Sequence, residues 1–233
     1  MKFLRYLCTT ALLLLMAVAA HAAQPSAKEM DDLYGTMQLP NYVKYYEVSP
    51  AGEFWIHPYL QVATDKNPGL LDPKKEPYNF MIDEEGNVRI NIESKNPWGR
   101  TYDYEWFRPE DFSTRKKGSS EKDGHVTTMG GQKGRIGGEF LWDKETKTWT
   151  INNKSGRYSN ANPDRTPEQL LNAAARIKQV VQLSEGSWGE IRYLFRYSPR
   201  ELRDEFQKKY EILFQRPDKK DFIQKDPYIL LSK

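Results

Sequence analysis

The sequence predicts an α+β protein, with antiparallel β-hairpins forming a central sheet, followed by two C-terminal helices. Three observations carry this prediction. Residues 78–92 and 138–152 each alternate apolar and polar side chains on either side of a short polar turn. Later, Thr166-Pro-Glu-Gln169 and Ser198-Pro-Arg-Glu201 each open a run of apolar residues at helical spacing. The chain also holds 14 Tyr, 10 Phe and 6 Trp at a mean hydropathy of −0.80. Disordered chains are poor in aromatics, whereas amphipathic rings suit the core of a β-rich fold.

Taken in order, residues 1–22 read as a secretory signal peptide. Lys2 and Arg5 supply the positive n-region, Ala11 to Ala20 the apolar run, and Ala20-His21-Ala22 a small-x-small cleavage site. The run is too short to span a bilayer well, and no stop-transfer pattern or lipobox cysteine follows, so no membrane anchor is expected. The mature chain, 23–233, is expected to be one α+β domain, β-rich over 39–158 and helical over 166–215, periplasmic or secreted. Roughly 210 residues can bury a core without staples.

Pro25 and Ser26 start a short helix through Leu33, stopped by Gly35. Residues 39–62 are extended and aromatic, broken by Pro50, Gly52 and Pro58, and residues 67–77 form a loop with three prolines. The first hairpin pairs Tyr78–Asp83 with Val88–Ile92 across Glu84–Asn87; the second pairs Gly138–Asp143 with Thr148–Asn152 across Lys144–Lys147. Between them, Thr114–Gly124 reads as a mobile loop, with Arg115, Lys116 and Lys117 as its solvated charge. Thr166 to Gln169 is a capping box with proline at N1, and Leu170, Ala173, Ala174, Ile177, Val180 and Val181 line one helical face. The second helix buries Leu202, Phe206, Tyr210 and Leu213 and closes at Pro217; the apolar tail 226–233 adds an edge strand.

Loss of the signal removes Cys8, the only cysteine, and His21, which leaves His57 and His125. Thiol nucleophiles, disulfides, thiolate metal sites and three-histidine zinc are thereby excluded from the mature chain. Two histidines and a carboxylate remain formally open, but neither histidine has H-E-x-x-H spacing, and no metal is expected. Without Lys2 and Arg5 the formal charge falls from +3 to +1. So small a charge gives no field for capturing nucleic acid, and no DNA partner is expected.

Two segments can carry chemistry. His125 to Glu139 packs five glycines into residues 130–138, where backbone amides can approach a ligand and Lys133 and Arg135 add charge. It is neither a Walker loop nor a Rossmann fingerprint, because no Gly-Lys-Ser/Thr occurs and a strand follows the glycines. A Gly-rich turn into the second hairpin is the competing reading. Asn152-Asn-Lys-Ser-Gly-Arg-Tyr158 then leaves that hairpin as a turn whose side chains bond their own backbone, with Arg157 and Tyr158 as a cation and a phenol. Its competing reading is a strand-ending turn with an aromatic plug. The candidate catalytic residues are His125, Glu139 and Tyr158, with His125 and Glu139 as an acid/base pair. Gly131, Arg135, Asn153, Ser155 and Arg157 are the candidate ligand-binding residues. His57 reads as packing.

These motifs, in this order, resemble the C-terminal domain of certain bacterial polymorphic toxins. The likeness spans residues 78–180: the Asn-Phe-Met-Ile-Asp-Glu-Glu-Gly-Asn-Val-Arg-Ile hairpin, a Gly-His segment, Gly-Gly-Glu leading a strand, and Asn-Asn-Lys-Ser-Gly-Arg-Tyr. The last usually reads Asn-x-Ser-Gly-His-Tyr-x-Pro in that family, and a similar Ser-Gly-His-Tyr segment occurs in plant IQ-motif proteins. Here Arg157 stands where the family has His, and Ser159 replaces the residue before the proline. A stand-alone signal peptide is a further departure, since such toxins end long delivery proteins. The resemblance implies an exported antagonistic effector with a cognate immunity protein as partner.

Two functions follow as expectations. The first is an exported toxin-like enzyme acting on a nucleotide-containing substrate such as NAD, in the manner of ADP-ribosyl transfer. That chemistry needs a pyrophosphate clamp (Arg135 or Arg157) and one carboxylate, but no metal, thiol or bound cofactor. The second is a non-enzymatic exported binding protein that uses the aromatic surface of residues 42–59 and the last helix to hold a protein or glycan partner. Convergence of His125, Glu139 and Arg157 in one pocket would favour the first.

Overall fold

Both hairpins form where the alternation puts them. In a computed structural model that describes residues 25–44, 47, 53–54, 56–93, 113–115, 124–159, 165–194 and 228–232, β4 (Tyr78–Ile82) pairs antiparallel with β5 (Val88–Ile92). Likewise β7 (Gly137–Asp143) pairs with β8 (Thr148–Asn152). Asp83 fixes the first turn: Oδ1 accepts from the Glu85 and Asn87 amides, and Oδ2 from Arg89 Nε at 3.2 Å. The seam between the hairpins is β4 against β7, antiparallel, with Asn79 opposite Glu139. The predicted signal peptide and the predicted second C-terminal helix lie outside the described residues, as do residues 45–46, 48–52 and 55 of the aromatic stretch and most of 114–124.

The sheet is larger than the hairpins. At one edge β2 (Gln61–Ala63) joins β5, and beyond β8 come β10 (Ser187–Leu194) and β11 (Tyr228–Ser232), giving the order β11-β10-β8-β7-β4-β5-β2. The β8–β10 pair is parallel, so the sheet is mixed, and the expectation of antiparallel hairpins alone is corrected. Its cause is α4 (Pro167–Val180), which carries the chain back across one face before the next strand begins. Thr166 caps it as predicted, with the Gln169 side chain returning to the Thr166 amide. The helix ends one residue earlier than the apolar pattern implied. Val181 instead opens β9 (Val181–Leu183), which pairs parallel with β3 (Gly69–Leu71) inside the segment read as a proline loop. Residues 181–194 are therefore strand within a region expected to be helical. The apolar tail does form the edge strand, β11 against β10, and apart from this sheet β1 (Tyr42–Lys44) pairs parallel with β6 (Ser113–Arg115).

Alternation sorts the sheet into two unlike faces. One carries Tyr78, Phe80, Ile82, Val88, Ile90, Phe140, Trp149, Ile151, Ile191 and Tyr193, buried under α4 and α1 (Ala27–Tyr34). Rings dominate this core: Phe80 stacks on Phe140 at 5.0 Å between centroids, and Trp149 meets Trp142 at 5.2 Å. Their polar tips find partners, as amphipathic rings require: Tyr193 Oη donates to the Arg165 carbonyl at 2.7 Å and Trp149 Nε1 to that of Glu185 at 3.3 Å. The other face carries α2 (His125–Met129) and α3 (Gly156–Ser159), with a small cluster of Val43, Met81, Val126, Met129 and Tyr158. The helix α2 was not expected within the glycine-rich stretch. Gly124 precedes it and Gly130, in the left-handed region at φ 58°, ends it.

Candidate functional site

On the second face, polar side chains occupy one row across four strands. Asn91 of β5 lies opposite Asn79 of β4, Asn79 opposite Glu139 of β7, and one step along the β7–β8 ladder Glu139 meets Asn152. All four are at least nine-tenths buried, with Asn91 at 0% exposure, Asn79 and Asn152 at 2% and Glu139 at 5%. Buried polar groups are normally hydrogen-bonded, and most of this row obeys. Asn91 Oδ1 accepts from Thr128 Oγ1 at 2.7 Å, and its Nδ2 donates to Thr127 Oγ1 at 3.4 Å, which docks α2 on the sheet. Asn152 Oδ1 accepts from the amides of Glu139 and Lys154 at 3.1 and 2.8 Å. Asn79 is the exception: its side-chain amide nitrogen is buried with no partner among the described residues.

Glu139 is the ionisable centre of the row. Its Oε1 pairs with Lys154 Nζ at 2.9 Å, and Asn152 Nδ2 lies 3.5 Å from Oε2. The lysine side chain is 43% exposed, so the pair runs from the buried row to solvent. Burial pushes the Glu139 carboxyl above the ordinary carboxylate value; Lys154 opposes the shift, and the nearby Glu93 carboxylate adds to it. A carboxyl so placed can exchange a proton more readily than an ordinary carboxylate or hold negative charge in a water-poor setting.

His125 begins α2 beside this centre. Its Nε2 lies 2.9 Å from the Gly138 carbonyl. A carbonyl only accepts, so Nε2 carries the proton and Nδ1 the lone pair. Burial brings the imidazole down to about 4, helped by the charges of Arg157 and Lys154 and opposed by the Gly138 carbonyl. The ring is neutral at neutral pH. No hydrogen bond joins His125 to Glu139; the histidine binds the backbone next to the carboxylate and so positions α2 against β7.

The remaining predicted residues fall into different roles. Arg157 is buried and gives both Nη atoms to the fully buried Glu47, with Nη2 2.6 Å from Oε1. Arg135 donates to Asp31 and, at 2.8 Å, to the Gly35 carbonyl, where it caps the end of α1. Each guanidinium, expected to hold phosphate, is engaged by a carboxylate of the chain. Tyr158 Oη donates to the Gln132 carbonyl at 2.9 Å, and burial pushes the phenol far up, which makes it the aromatic plug. Ser155 Oγ reaches only Met81 Sδ at 3.9 Å. Asn153 pairs both side-chain atoms with the Leu194 backbone and so prolongs the β8–β10 pairing. Gly131, at φ 72°, backs onto Phe54, where an added Cβ would lie 2.3 Å from the ring. His57 is buried, its Nδ1 accepting from the Tyr59 amide at 3.0 Å, which agrees with packing.

His125, Glu139, Lys154 and Arg157 thus share one neighbourhood, while Arg135, Asn153 and Gly131 lie apart from it. Asn79, Asn91 and Lys154 are the residues that sequence reasoning missed. The two asparagines sit at the polar positions of the first hairpin, a pattern that reads as a solvated face until α2 and the second hairpin cover it. A separate cleft of about 530 Å³ lies between the first hairpin turn and the end of α2, lined by Asp83, Glu84, Arg89, Gln132 and Lys133 among others, and contains none of the predicted site residues. No group of three or more potential metal ligands occurs among the described residues. No family model, curated protein or solved structure matches the chain.

Proposed function

We propose that the protein is an exported toxin-like effector, an enzyme that acts on a nucleotide-containing substrate such as NAD through the Glu139 carboxylate. One observation carries this reading: a carboxylate in a row of buried amides, with a partly exposed lysine as its ion-pair partner. Breaking the bond between nicotinamide and ribose builds positive charge on the sugar. A carboxylate held in a poorly solvated site stabilises such charge strongly. Lys154 favours the ionised form of Glu139 against burial and stands at the rim, where an anionic group of the substrate would arrive. With Arg135 and Arg157 held in ion pairs, Lys154 takes over the part of the phosphate ligand.

The test uses the chain from Ala23, made in the bacterial cytosol and, separately, exported. Growth arrest in one compartment and release of nicotinamide from NAD by the purified protein are expected. Glu139→Gln, with an unchanged circular dichroism spectrum, should lower the release at least about 100-fold. Intact NAD together with normal growth in both compartments would overturn the proposal. The alternative, a binding protein with an aromatic surface, is favoured by Ile56 and Tyr59, 59% and 63% exposed and three positions apart in the chain's aromatic segment. Saturable capture of a partner abolished by Tyr59→Ala but not by Glu139→Gln would favour it.

A further inference from the structure

We infer that Asn79 and Glu139 form a recognition wall for a planar edge carrying a hydrogen-bond donor beside an acceptor, as in a primary carboxamide or an aminopurine. The inference rests on the reading of Glu139 as the centre of the site. Asn79 is 2% exposed, and its side-chain nitrogen has no hydrogen-bond partner among the described residues. Its neighbours in the row have partners: Asn91 bonds two threonines, and Asn152 Oδ1 accepts from two backbone amides. An idle amide between paired ones is costly to the fold, since a buried donor without a partner forfeits its hydration. Such costs are tolerated where a ligand supplies the missing partner.

The chemistry of the partner follows from what the wall offers. The Asn79 carboxamide presents an N–H donor and a carbonyl acceptor side by side, the same pattern that pairs asparagine with the N6/N7 edge of adenine. Glu139, directly opposite on the adjacent strand and so about 5 Å away at Cβ, adds a carboxylate that only accepts when ionised. A ligand N–H therefore meets acceptors on two sides, and a ligand carbonyl meets the Asn79 N–H. A ligand carboxylate has no N–H to give and faces the charge of Glu139, so the wall rejects it. Within NAD the nicotinamide carboxamide and the adenine edge both carry the matching pattern.

The test is calorimetric titration of the chain from Ala23 with nicotinamide, with adenosine and with nicotinate. Either nicotinamide or adenosine should bind, which identifies the moiety held, and nicotinate should bind at least about 10-fold more weakly. Asn79→Leu should lose at least about 10-fold in that affinity while melting about 2–4 °C higher, because an apolar side chain removes the unpaired amide. Asn79→Ala serves for the affinity if leucine does not fit. Absence of binding by both nicotinamide and adenosine, nicotinate binding as well as nicotinamide, or unchanged affinity in the Asn79 variants would overturn the inference. NAD cleavage that survives those substitutions would overturn it while leaving the enzyme in place. Selective binding without NAD cleavage would uphold the wall and remove the enzyme.

Discussion

Glu139 and His125 are both buried, and burial acts on them in opposite directions. The carboxyl is raised, so its charged form, and any activity that needs it, appears only as pH climbs past the ordinary carboxylate range. Lys154→Met removes the charge that lowers it, so the acid limb of the pH profile for NAD cleavage should move to higher pH. A limb that stays in place would mean that another group sets it. His125 is depressed to about 4 from an ordinary 6.5. A depressed group contributes stability that is present above its unfolded value and lost as pH falls towards the folded one. Urea unfolding should therefore show the wild type losing about 2 kcal/mol more than His125→Gln between about pH 7.5 and about pH 5. Equal losses would remove His125 from the account. At this scale the sequence pointed to both residues, because one is scarce and the other leads a strand. What it hid was their partners: Lys154 and Asn152 reach Glu139 across a β-ladder, and Glu47 reaches Arg157 over more than a hundred residues, separations that local pattern does not encode.

Elements were most legible where chemistry is local. The Thr166 cap, the Gly35 stop of α1 and both hairpin turns depend on residues within four positions of each other, and each forms as expected. Thr166→Ala should cost about 1 kcal/mol by chemical denaturation, since it releases the Gln169 amide. In the glycine-rich stretch two readings stand side by side for a physical reason: backbone freedom serves close packing as readily as it serves a phosphate. An added Cβ at Gly138 would lie 1.7 Å from the Asn152 carbonyl oxygen across the β7–β8 pair. Gly138→Ala should thus destabilise by more than about 3 kcal/mol or leave the chain unfolded. A folded variant with a wild-type melting temperature would show that the strands can part there. Helix α2 escaped notice because five residues between glycines carry too little periodicity to read.

At the scale of the molecule, the mixed sheet depends on α4 returning the chain to the far side of β8, a topology that no single segment announces. The C-terminal strand completes it, with Ile229 and Leu231 packed against the main core. Deletion of residues 226–233 should cost on the order of 2–3 kcal/mol, read as a fall in the urea midpoint. An unchanged midpoint would make β11 dispensable. The seam between the two hairpins has a consequence in time. Each hairpin closes over a short turn and can form within microseconds, whereas β4 meets β7 only after the long span between Asp83 and Ile136 has been looped in. Asn79 belongs to one hairpin and Glu139 to the other. Until the seam zips shut the row that spans both hairpins does not exist, so its buried amides and carboxylate give up water at that late, long-range step rather than as either hairpin closes.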